Sequence, residues 1–131
     1  MTLIIDASLV VAALVDSGPT GVWATSLLAS DTLAAPHLML VEVTNVLRRA
    51  TSSGDISPDV ASLAHADLVD LPVELFPYAP FAARVWELRE SVTAYDAWYV
   101  ALAEDLDAGL ATLDTRLTNA NGPRCGFVTP E

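Results

Sequence analysis

The stretch LIIDASLVVAALV, residues 3–15, decides the fold. Leu3–Ile5 is a short apolar run typical of a buried strand, and Ala7–Val15 is an apolar run of helical length. Asp6 stands between them, where a carboxylate can cap the helix that follows. A strand that leads directly into a helix is the first half of a β-α-β unit, so this stretch predicts a parallel sheet covered by helices.

The rest of the chain repeats this alternation of short apolar strands and helices. Further strands are predicted at Thr32–Ala35, Val73–Phe76 and Leu110–Leu113, with a fifth at the sheet edge over Gly126–Thr129. Helices are predicted over Gly21–Ala29 (capped by Thr20), Leu38–Thr51, Ser57–Val69, Pro80–Glu90 and Thr93–Leu106. We therefore expect an α/β fold: one domain over residues 1–131, built as a three-layer α/β/α sandwich around a mostly parallel sheet of four to five short strands.

The composition indicates a single core and an intracellular location. The chain has 131 residues, of which 53% are hydrophobic, enough to close one core. No apolar run approaches the roughly 20 residues of a membrane helix, and the first residues lack the basic region of a signal peptide. Cys125 is the one cysteine, which excludes an internal disulfide. We expect a cytoplasmic protein with no membrane association.

The charge balance is strongly acidic. The net charge is −11, and all six cationic side chains are Arg. The absence of Lys excludes a P-loop and an amine nucleophile. Excess negative charge argues against nonspecific nucleic-acid affinity, although part of it would be local if acids share a metal, because a bound cation reverses the field there. The remaining negative charge indicates a basic protein partner.

Four acidic residues stand at the entry or exit points of the β-α units: Asp6, Glu42, Asp96 and Asp114. In a parallel sheet covered by helices, functional sites lie at the carboxyl ends of the strands. Asp6 and Asp114 each follow a predicted strand at that edge, although they are far apart in the sequence. Asp96 lies in the first turn of an almost wholly apolar helix, and Glu42 lies among apolar residues of another.

Each of these acids also has an ordinary structural explanation. Asp6 and Asp114 are placed to cap the helices that follow them, and Thr93–Asp96 resembles a capping box. Glu42 either faces solvent, in contact with Asn45 or Arg49, or meets a metal ion.

Several polar residues are candidates to support the acids. Thr112 precedes Asp114 by two residues on a predicted strand and so faces the same side, where its hydroxyl could bind a metal-ligated water. Asn45 lies one turn from Glu42. Ser8 stands beside Asp6 but has no evident His base, and Arg116 is able to orient a carboxylate or contact a phosphate.

Converging carboxylates require a cation. Without one they repel each other and their pKa values rise. Mg²⁺ prefers oxygen ligands and retains several waters, which suits such a cluster. The bound ion lowers the pKa of a water molecule and contacts a phosphoryl oxygen, so the pattern favours phosphodiester hydrolysis.

Other reactive and aromatic side chains carry weaker signals. His37 and His65 lack partners at zinc spacing, and Cys125 lacks the surroundings of a nucleophile. The helix over Gly21–Ala29 and its neighbour could supply an apolar dimer surface. Helical spacing favours core packing or an interface over base stacking for the aromatic residues Trp23, Trp86, Tyr95, Trp98 and Tyr99.

At these residues the chain resembles PIN-domain ribonucleases, specifically the VapC-type toxins of bacterial toxin–antitoxin pairs. The resemblance runs over essentially the whole chain and rests on four anchors: Ile5–Ser8, Glu42–Arg49, Tyr95–Glu104 and Thr112–Leu117. The third and fourth anchors, with their separation, are specific, whereas Asp-Ala-Ser alone is weak.

The resemblance implies a PIN-like α/β/α sandwich and an endoribonuclease that depends on Mg²⁺ or Mn²⁺. It matches Asp6, Glu42, Asp96 and Asp114 to the acidic quartet of the family and Thr112 to a supporting position. It further implies a homodimer and an antitoxin that covers the acidic groove; the negative charge here suits a basic antitoxin. RNA would be positioned by arginines that the sequence does not distinguish: Arg48, Arg49, Arg84, Arg89, Arg116 and Arg124.

The leading hypothesis is a hydrolytic enzyme in which an activated water attacks an RNA phosphate in line. Asp6, Asp96 and Asp114 would hold the metal, with Glu42 binding through water or acting as general base. A catalytically silent PIN-like binding module is one alternative, but the presence of all four acids argues against it. A receiver-type phospho-acceptor is another, but it needs a paired acid after the first strand and a Lys, and both are absent.

Overall fold

The central sheet is parallel throughout. A computed structural model describes residues 1–30 and 32–130, with Ser30 described by its backbone alone; Asp31 and Glu131, both inside the predicted domain, lie outside the described residues. Within these ranges the strands are β1 (Thr2–Ile5), β2 (Thr32–Pro36), β3 (Val73–Phe76), β4 (Gly109–Ala111) and β5 (Phe127–Val128). Their order is β3-β2-β1-β4-β5, and every pairing is parallel. The predicted parallel α/β sheet, with its fifth strand at the edge, is confirmed.

Helices cover both faces of this sheet. They are α1 (Ala7–Val15), α2 (Pro19–Ser30), α3 (Leu38–Ser53), α4 (Pro58–Asp70), α5 (Ala82–Glu87), α6 (Ala94–Asp105) and α7 (Thr115–Thr118). Helix α6 packs against β1, β2 and β4, and α5 packs against α6. On the other side α1 packs against α2, α3 and α4. Ile4 and Ile5, neighbours on β1 that point to opposite faces, are both fully buried, which explains the uninterrupted apolar run.

Several predicted boundaries were wrong, and three of these differences have a physical reason. Helix α2 begins at Pro19 rather than Gly21, so Thr20 lies inside its first turn; the φ angle of proline suits that opening position. The helix predicted over Pro80–Glu90 is instead a 3₁₀ turn followed by a short α5, which ends at Glu87 because the chain turns back there to begin α6. Strand β4 ends at Ala111: the Thr112 N–H still donates to the Val128 carbonyl oxygen over 3.1 Å, but the N–H groups of Leu113 and Asp114 bond to side-chain hydroxyls instead.

Helices α1 and α2 form a hairpin whose contact leaves no room for a side chain at Gly21. A Cβ atom built on Gly21 would lie 1.7 Å from the Asp16 carbonyl oxygen and 3.0 Å from that of Ala12. Both neighbours are backbone atoms, so neither rotates away. Among the described residues no single helix is long and apolar enough to span a membrane; α1 and α2 pass that test by length and composition only as a pair bent by 110°.

We predict that Gly21→Ala lowers the free energy of unfolding by about 1–3 kcal/mol or more, the usual cost of overpacking. Helix propensity alone predicts the opposite, a stabilisation of up to about 1 kcal/mol, so the sign is decisive. Urea denaturation measures the difference. Gly126→Ala is the matched control, because a Cβ at Gly126 meets nothing within 4 Å. A Gly21→Ala protein as stable as the control would show that the two helices separate easily.

An ion pair ties the carboxyl-terminal segment to α5 and α6. Arg84 donates from Nε to Glu104 Oε1 over 2.7 Å and from Nη2 to Glu104 Oε2 over 3.1 Å. The same Nη2 donates to the Gly122 carbonyl oxygen over 2.9 Å, and the Arg124 N–H donates to Glu104 Oε2 over 2.7 Å. Burial acts to raise the pKa of Glu104, but the hydrogen bonds from Arg84 and Arg124 outweigh it, so the net pKa is lowered.

We predict that Glu104→Gln lowers the free energy of unfolding by about 1–3 kcal/mol at neutral pH. Because the pKa of Glu104 is lowered by folding, its contribution is present above the unfolded value and is lost as pH falls through the folded value. The difference between wild type and variant should therefore shrink on acidification below about pH 4.5. Glu87→Gln, on the exposed partner of the same Arg84, should change stability little. A difference that stays constant with pH would contradict this account.

Candidate active site

Asp6 is a buried carboxylate at the end of the central strand. It caps α1, where its Oδ1 accepts hydrogen bonds from the Leu9 N–H over 3.1 Å and from Ser8 Oγ over 2.6 Å. Its Oδ2 accepts a short hydrogen bond from Thr112 Oγ1. Only 7% of the residue is exposed. Asp6 therefore caps α1, as its structural explanation predicts, and it is also the most buried acid of the candidate site.

Ser8 and Thr112 join the ends of β1 and β4. Besides donating to Asp6, Ser8 Oγ accepts from the Leu113 N–H over 3.1 Å, and Thr112 Oγ1 accepts from the Asp114 N–H over 3.0 Å. Two hydroxyl groups therefore satisfy the backbone where β4 stops and hold Asp114 next to Asp6. The sequence suggested that the Thr112 hydroxyl binds a metal-ligated water, whereas in the structure this hydroxyl donates to Asp6.

Asp96 and Asp114 face a common cleft. Thr93 caps α6 and accepts from the Asp96 N–H over 3.2 Å, as in the predicted capping box. Asp114 caps α7 and accepts from the N–H groups of Arg116 (2.9 Å) and Leu117 (3.3 Å). Both carboxylates, together with Arg116, line a cleft of about 450 Å³. These helix-capping contacts position both carboxylates on the cleft, so capping and a role in the site are compatible.

Glu42 is held by a residue that the sequence analysis had assigned to packing. Tyr99 on α6 donates its hydroxyl to Glu42 Oε1 on α3 over 2.6 Å, and Tyr99 is only 2% exposed. Burial, followed by this hydrogen bond, raises the pKa of Tyr99, which keeps the phenol protonated as a donor. The sequence contains one signal for a site role of Tyr99: it follows Asp96 by three residues and so lies on the same face of α6.

The charges of the four acids act on one another. Burial raises the pKa of Asp6, and Asp114 raises it further against the hydrogen bonds from Ser8, Thr112 and Leu9. Burial likewise raises the pKa of Glu42 and of Asp96, and the charge of Asp6 adds to both. The carboxyl groups of Asp6, Glu42 and Asp96 are therefore harder to ionise because of their burial and of the neighbouring acids, which is the condition that a bound cation relieves.

The remaining candidates lie elsewhere. Asn45 Oδ1 accepts from Arg48 Nε over 2.9 Å on the exposed side of α3, so its amide is engaged away from the acids. His65 lies in the groove between α3 and α4. Burial raises the pKa of the Cys125 thiol to about 11, which suits an unreactive cysteine. Cys125 lines a cavity of about 580 Å³ beside Gly109, at the opposite end of β4 from the acids.

The donor set fits a hard divalent cation. All four acids offer carboxylate oxygens, which Mg²⁺ and Mn²⁺ prefer. In residues 1–30 and 32–130, no three His, Cys, Asp or Glu side chains form a ready-made metal cage. Mg²⁺ is usually bound through one or two carboxylates and keeps several waters, so it does not need such a cage.

The PIN-domain family matches residues 3–123 of the sequence, and the chain belongs to this family. Among PIN domains it is a VapC-type protein: Ribonuclease VapC1 of Mycobacterium tuberculosis is 42% identical over 123 residues, 93% of this chain and 92% of the relative. This assignment confirms the resemblance drawn from the four sequence anchors and sets aside the phospho-acceptor alternative.

Solved structures share the fold at low sequence identity. VapC20 of Mycobacterium tuberculosis, described as a sarcin-ricin loop cleaving toxin, matches with a TM-score of 0.68 at 18% identity, over 88% of this chain and 92% of that one. VapBC2 of Rickettsia felis, solved with a DNA fragment from its promoter, matches with a TM-score of 0.70 at 14% identity over 100% of both chains. These matches support the PIN-like architecture of the sheet and its helices.

We predict that Tyr99→Phe raises the pKa of Glu42. The hydrogen bond from Tyr99 lowers that pKa against the effect of burial, so its loss leaves burial and the neighbouring acids unopposed. Carboxyl-carbon NMR of the folded protein measures the Glu42 titration midpoint directly. Tyr78→Phe removes a hydroxyl from a tyrosine that packs against Trp98, and it should leave the midpoint unchanged. A midpoint that did not rise in Tyr99→Phe would mean that Glu42 finds another donor.

Proposed function

We propose that this protein is a metal-dependent endoribonuclease that acts as the toxin of a toxin–antitoxin pair. The observation that carries the proposal is the meeting of Asp6, Glu42, Asp96 and Asp114 at the carboxyl edge of a PIN-type sheet, where burial and mutual repulsion raise the pKa values of three of them. Membership of the PIN family and relatives named Ribonuclease VapC support RNA as the substrate.

Asp6, Asp96 and Asp114 are proposed to hold Mg²⁺ or Mn²⁺, directly or through water. When bound, the ion supplies a Lewis acid for the phosphate and lowers the pKa of a water molecule. Hydrogen bonds from Ser8 and Thr112 fix both oxygens of Asp6, so this carboxylate is preorganised before a cation arrives.

Glu42 is proposed to accept the proton of the attacking water, or to bind the metal through water. Tyr99 engages Oε1 of Glu42, which leaves Oε2 as the free acceptor. Burial raises the pKa of this carboxyl group, and a base with a raised pKa takes a proton more readily. The water oxygen then attacks the phosphorus in line, and the opposite P–O bond breaks to release the other RNA fragment.

A basic antitoxin is the proposed protein partner, and the toxin is proposed to be a cytoplasmic homodimer. The name VapBC belongs to a family of toxin–antitoxin systems, and one such system is among the structural matches. A net charge of −11 favours binding of a basic protein over binding of free RNA in the acidic groove. Val22 on α2 is 66% exposed and supports the apolar surface suggested there for dimer contacts.

We predict that the purified, antitoxin-free protein cleaves total bacterial RNA at discrete positions in Mg²⁺ and stops in excess EDTA. Asp96→Asn should lower the cleavage rate at least about 100-fold, since a metal-binding oxygen is lost. Sequencing of the new RNA ends measures both. Asp67→Asn on exposed α4 is the matched control and should cleave normally. Equal cleavage by wild type and Asp96→Asn would point to a contaminating nuclease and remove the support for this function.

The same variant separates the metal site from folding. The pKa of Asp96 is raised in the folded protein, so its ionised form opposes folding above that pKa. In metal-free buffer at neutral pH, Asp96→Asn should therefore be at least as stable as wild type. Mg²⁺ should raise the melting temperature of wild type and not that of Asp96→Asn. A wild-type melting temperature indifferent to both Mg²⁺ and Mn²⁺ would favour a catalytically silent binding module.

A further inference from the structure

Two arginines line the cleft that contains Asp96 and Asp114. The cleft of about 450 Å³ lies between the segment that joins α5 to α6 and the beginning of α7, and Arg89 and Arg116 stand on its two sides. Its volume is within the usual range for ligand pockets. Four of the six arginines of the chain do not line this cleft, so the structure distinguishes among cations that the sequence did not.

Neither of these guanidinium groups forms an ion pair with a carboxylate of the described residues, although the charge of Arg116 lowers the pKa of Asp96 and Glu90 also lines the cleft. In the part of the chain that the structure describes, Arg84 forms ion pairs with Glu87 and Glu104, whereas Arg89 and Arg116 form none within 4.0 Å. Among the described residues Arg48, Arg49 and Arg124 form no such ion pair either, so it is their position on the cleft that sets Arg89 and Arg116 apart. Two that remain unpaired beside a carboxylate site leave positive charge available to an anionic ligand.

Arg89 is also held in place by its neighbour on α5. Its guanidinium lies 4.6 Å from the centre of the Trp86 ring, and its Nη1 donates to the Trp86 carbonyl oxygen over 2.8 Å. The Trp86 side chain is 68% exposed, so no core packing accounts for this stacking. A stacked guanidinium has fewer conformations to lose when it binds a phosphate.

We propose that Arg89 and Arg116 form a binding subsite for an RNA backbone phosphate adjacent to the one that is cleaved, with Trp86 as the residue that positions Arg89. The proposal rests on the endoribonuclease function proposed above. Guanidinium groups suit phosphate oxygens through paired N–H donors. The cleft is lined by Asp96 and Asp114 and not by Asp6 or Glu42, so the subsite would bind a phosphate beside the four acids rather than among them.

The subsite explains how so acidic a protein admits RNA. Carboxylates repel a phosphodiester backbone on approach, and a bound metal compensates at one phosphate only. Two unpaired cations at the next phosphate supply the remaining local attraction. The rest of the surface stays negative, which disfavours nonspecific RNA binding and restricts contact to the strand that enters the cleft.

The test compares Arg89→Gln and Arg116→Gln with Arg124→Gln, which removes the same charge beside the cavity at the opposite end of β4. The substrate is a short RNA oligonucleotide that carries one of the mapped cleavage positions, with a fluorophore and a quencher at its ends. Each cleft variant should raise KM about tenfold with kcat nearly unchanged, as expected for a lost charged contact to phosphate. Each should also reduce the salt dependence of log(kcat/KM) by about 0.7, the contribution of one phosphate contact on a single strand.

Conservative substitution adds a second readout. Arg116→Lys keeps the charge and should retain the salt dependence, while its KM rises less than that of Arg116→Gln. Trp86→Leu should raise KM less than Arg89→Gln, because Arg89 keeps its charge but loses its stacking partner.

The outcomes separate this inference from the proposed function. A wild-type protein without metal-dependent cleavage overturns the endoribonuclease itself. Metal-dependent cleavage with equal KM and equal salt dependence in all three Arg→Gln variants overturns the subsite alone. A fall in kcat with unchanged KM would place the arginines in the chemical step and would likewise overturn the subsite. Because Arg89 and Arg116 are exposed, unchanged melting temperatures confirm that the variants fold.

Discussion

The rest of the site depends on one buried carboxylate, that of Asp6. Asp6 follows the central strand β1. Its backbone N–H donates to the Ala111 carbonyl oxygen over 3.2 Å, and its side chain caps α1. A buried charge is costly unless hydrogen bonds or a counter-ion compensate it. Ser8, Thr112 and the Leu9 N–H supply hydrogen bonds, yet the pKa of Asp6 remains raised by its burial. The fold thus holds a partly compensated negative charge at the point where its central strands end.

The other acids are brought to Asp6 by different parts of the architecture. The parallel pairing of β1 with β4 aligns their carboxyl ends, and the hydroxyl groups of Ser8 and Thr112 complete the junction. Helix α6 crosses the same edge and carries Asp96 in its first turn. Glu42 depends on a contact between helices on opposite faces, because Tyr99 of α6 reaches α3. The acidic edge is therefore assembled from strand register, helix placement and one buried phenol.

Sequence patterns predicted the features that local chemistry determines. The apolar runs located the strands, and the positions after β1 and before α7 located Asp6 and Asp114. Capping and a role in the site are compatible, because a carboxylate has two oxygens: Asp6 caps its helix with one, while the other accepts from Thr112. The link between Glu42 and Tyr99, separated by 57 residues, depends on how two helices pack. The choice among arginines likewise required the tertiary arrangement, because the sequence does not show which cations line the cleft beside Asp96 and Asp114.

The pairing of β1 with β4 also has a consequence for biosynthesis. Asp6 leaves the ribosome before its partner Thr112, which lies 106 residues later. Contacts of such long range form late, since the intervening chain must be present before its ends can meet. A nascent chain that has not yet exposed Thr112 and Asp114 lacks half of the junction, whatever its earlier helices have done. The hydrolytic centre proposed here can therefore form only after Thr112 and Asp114 have emerged from the ribosome.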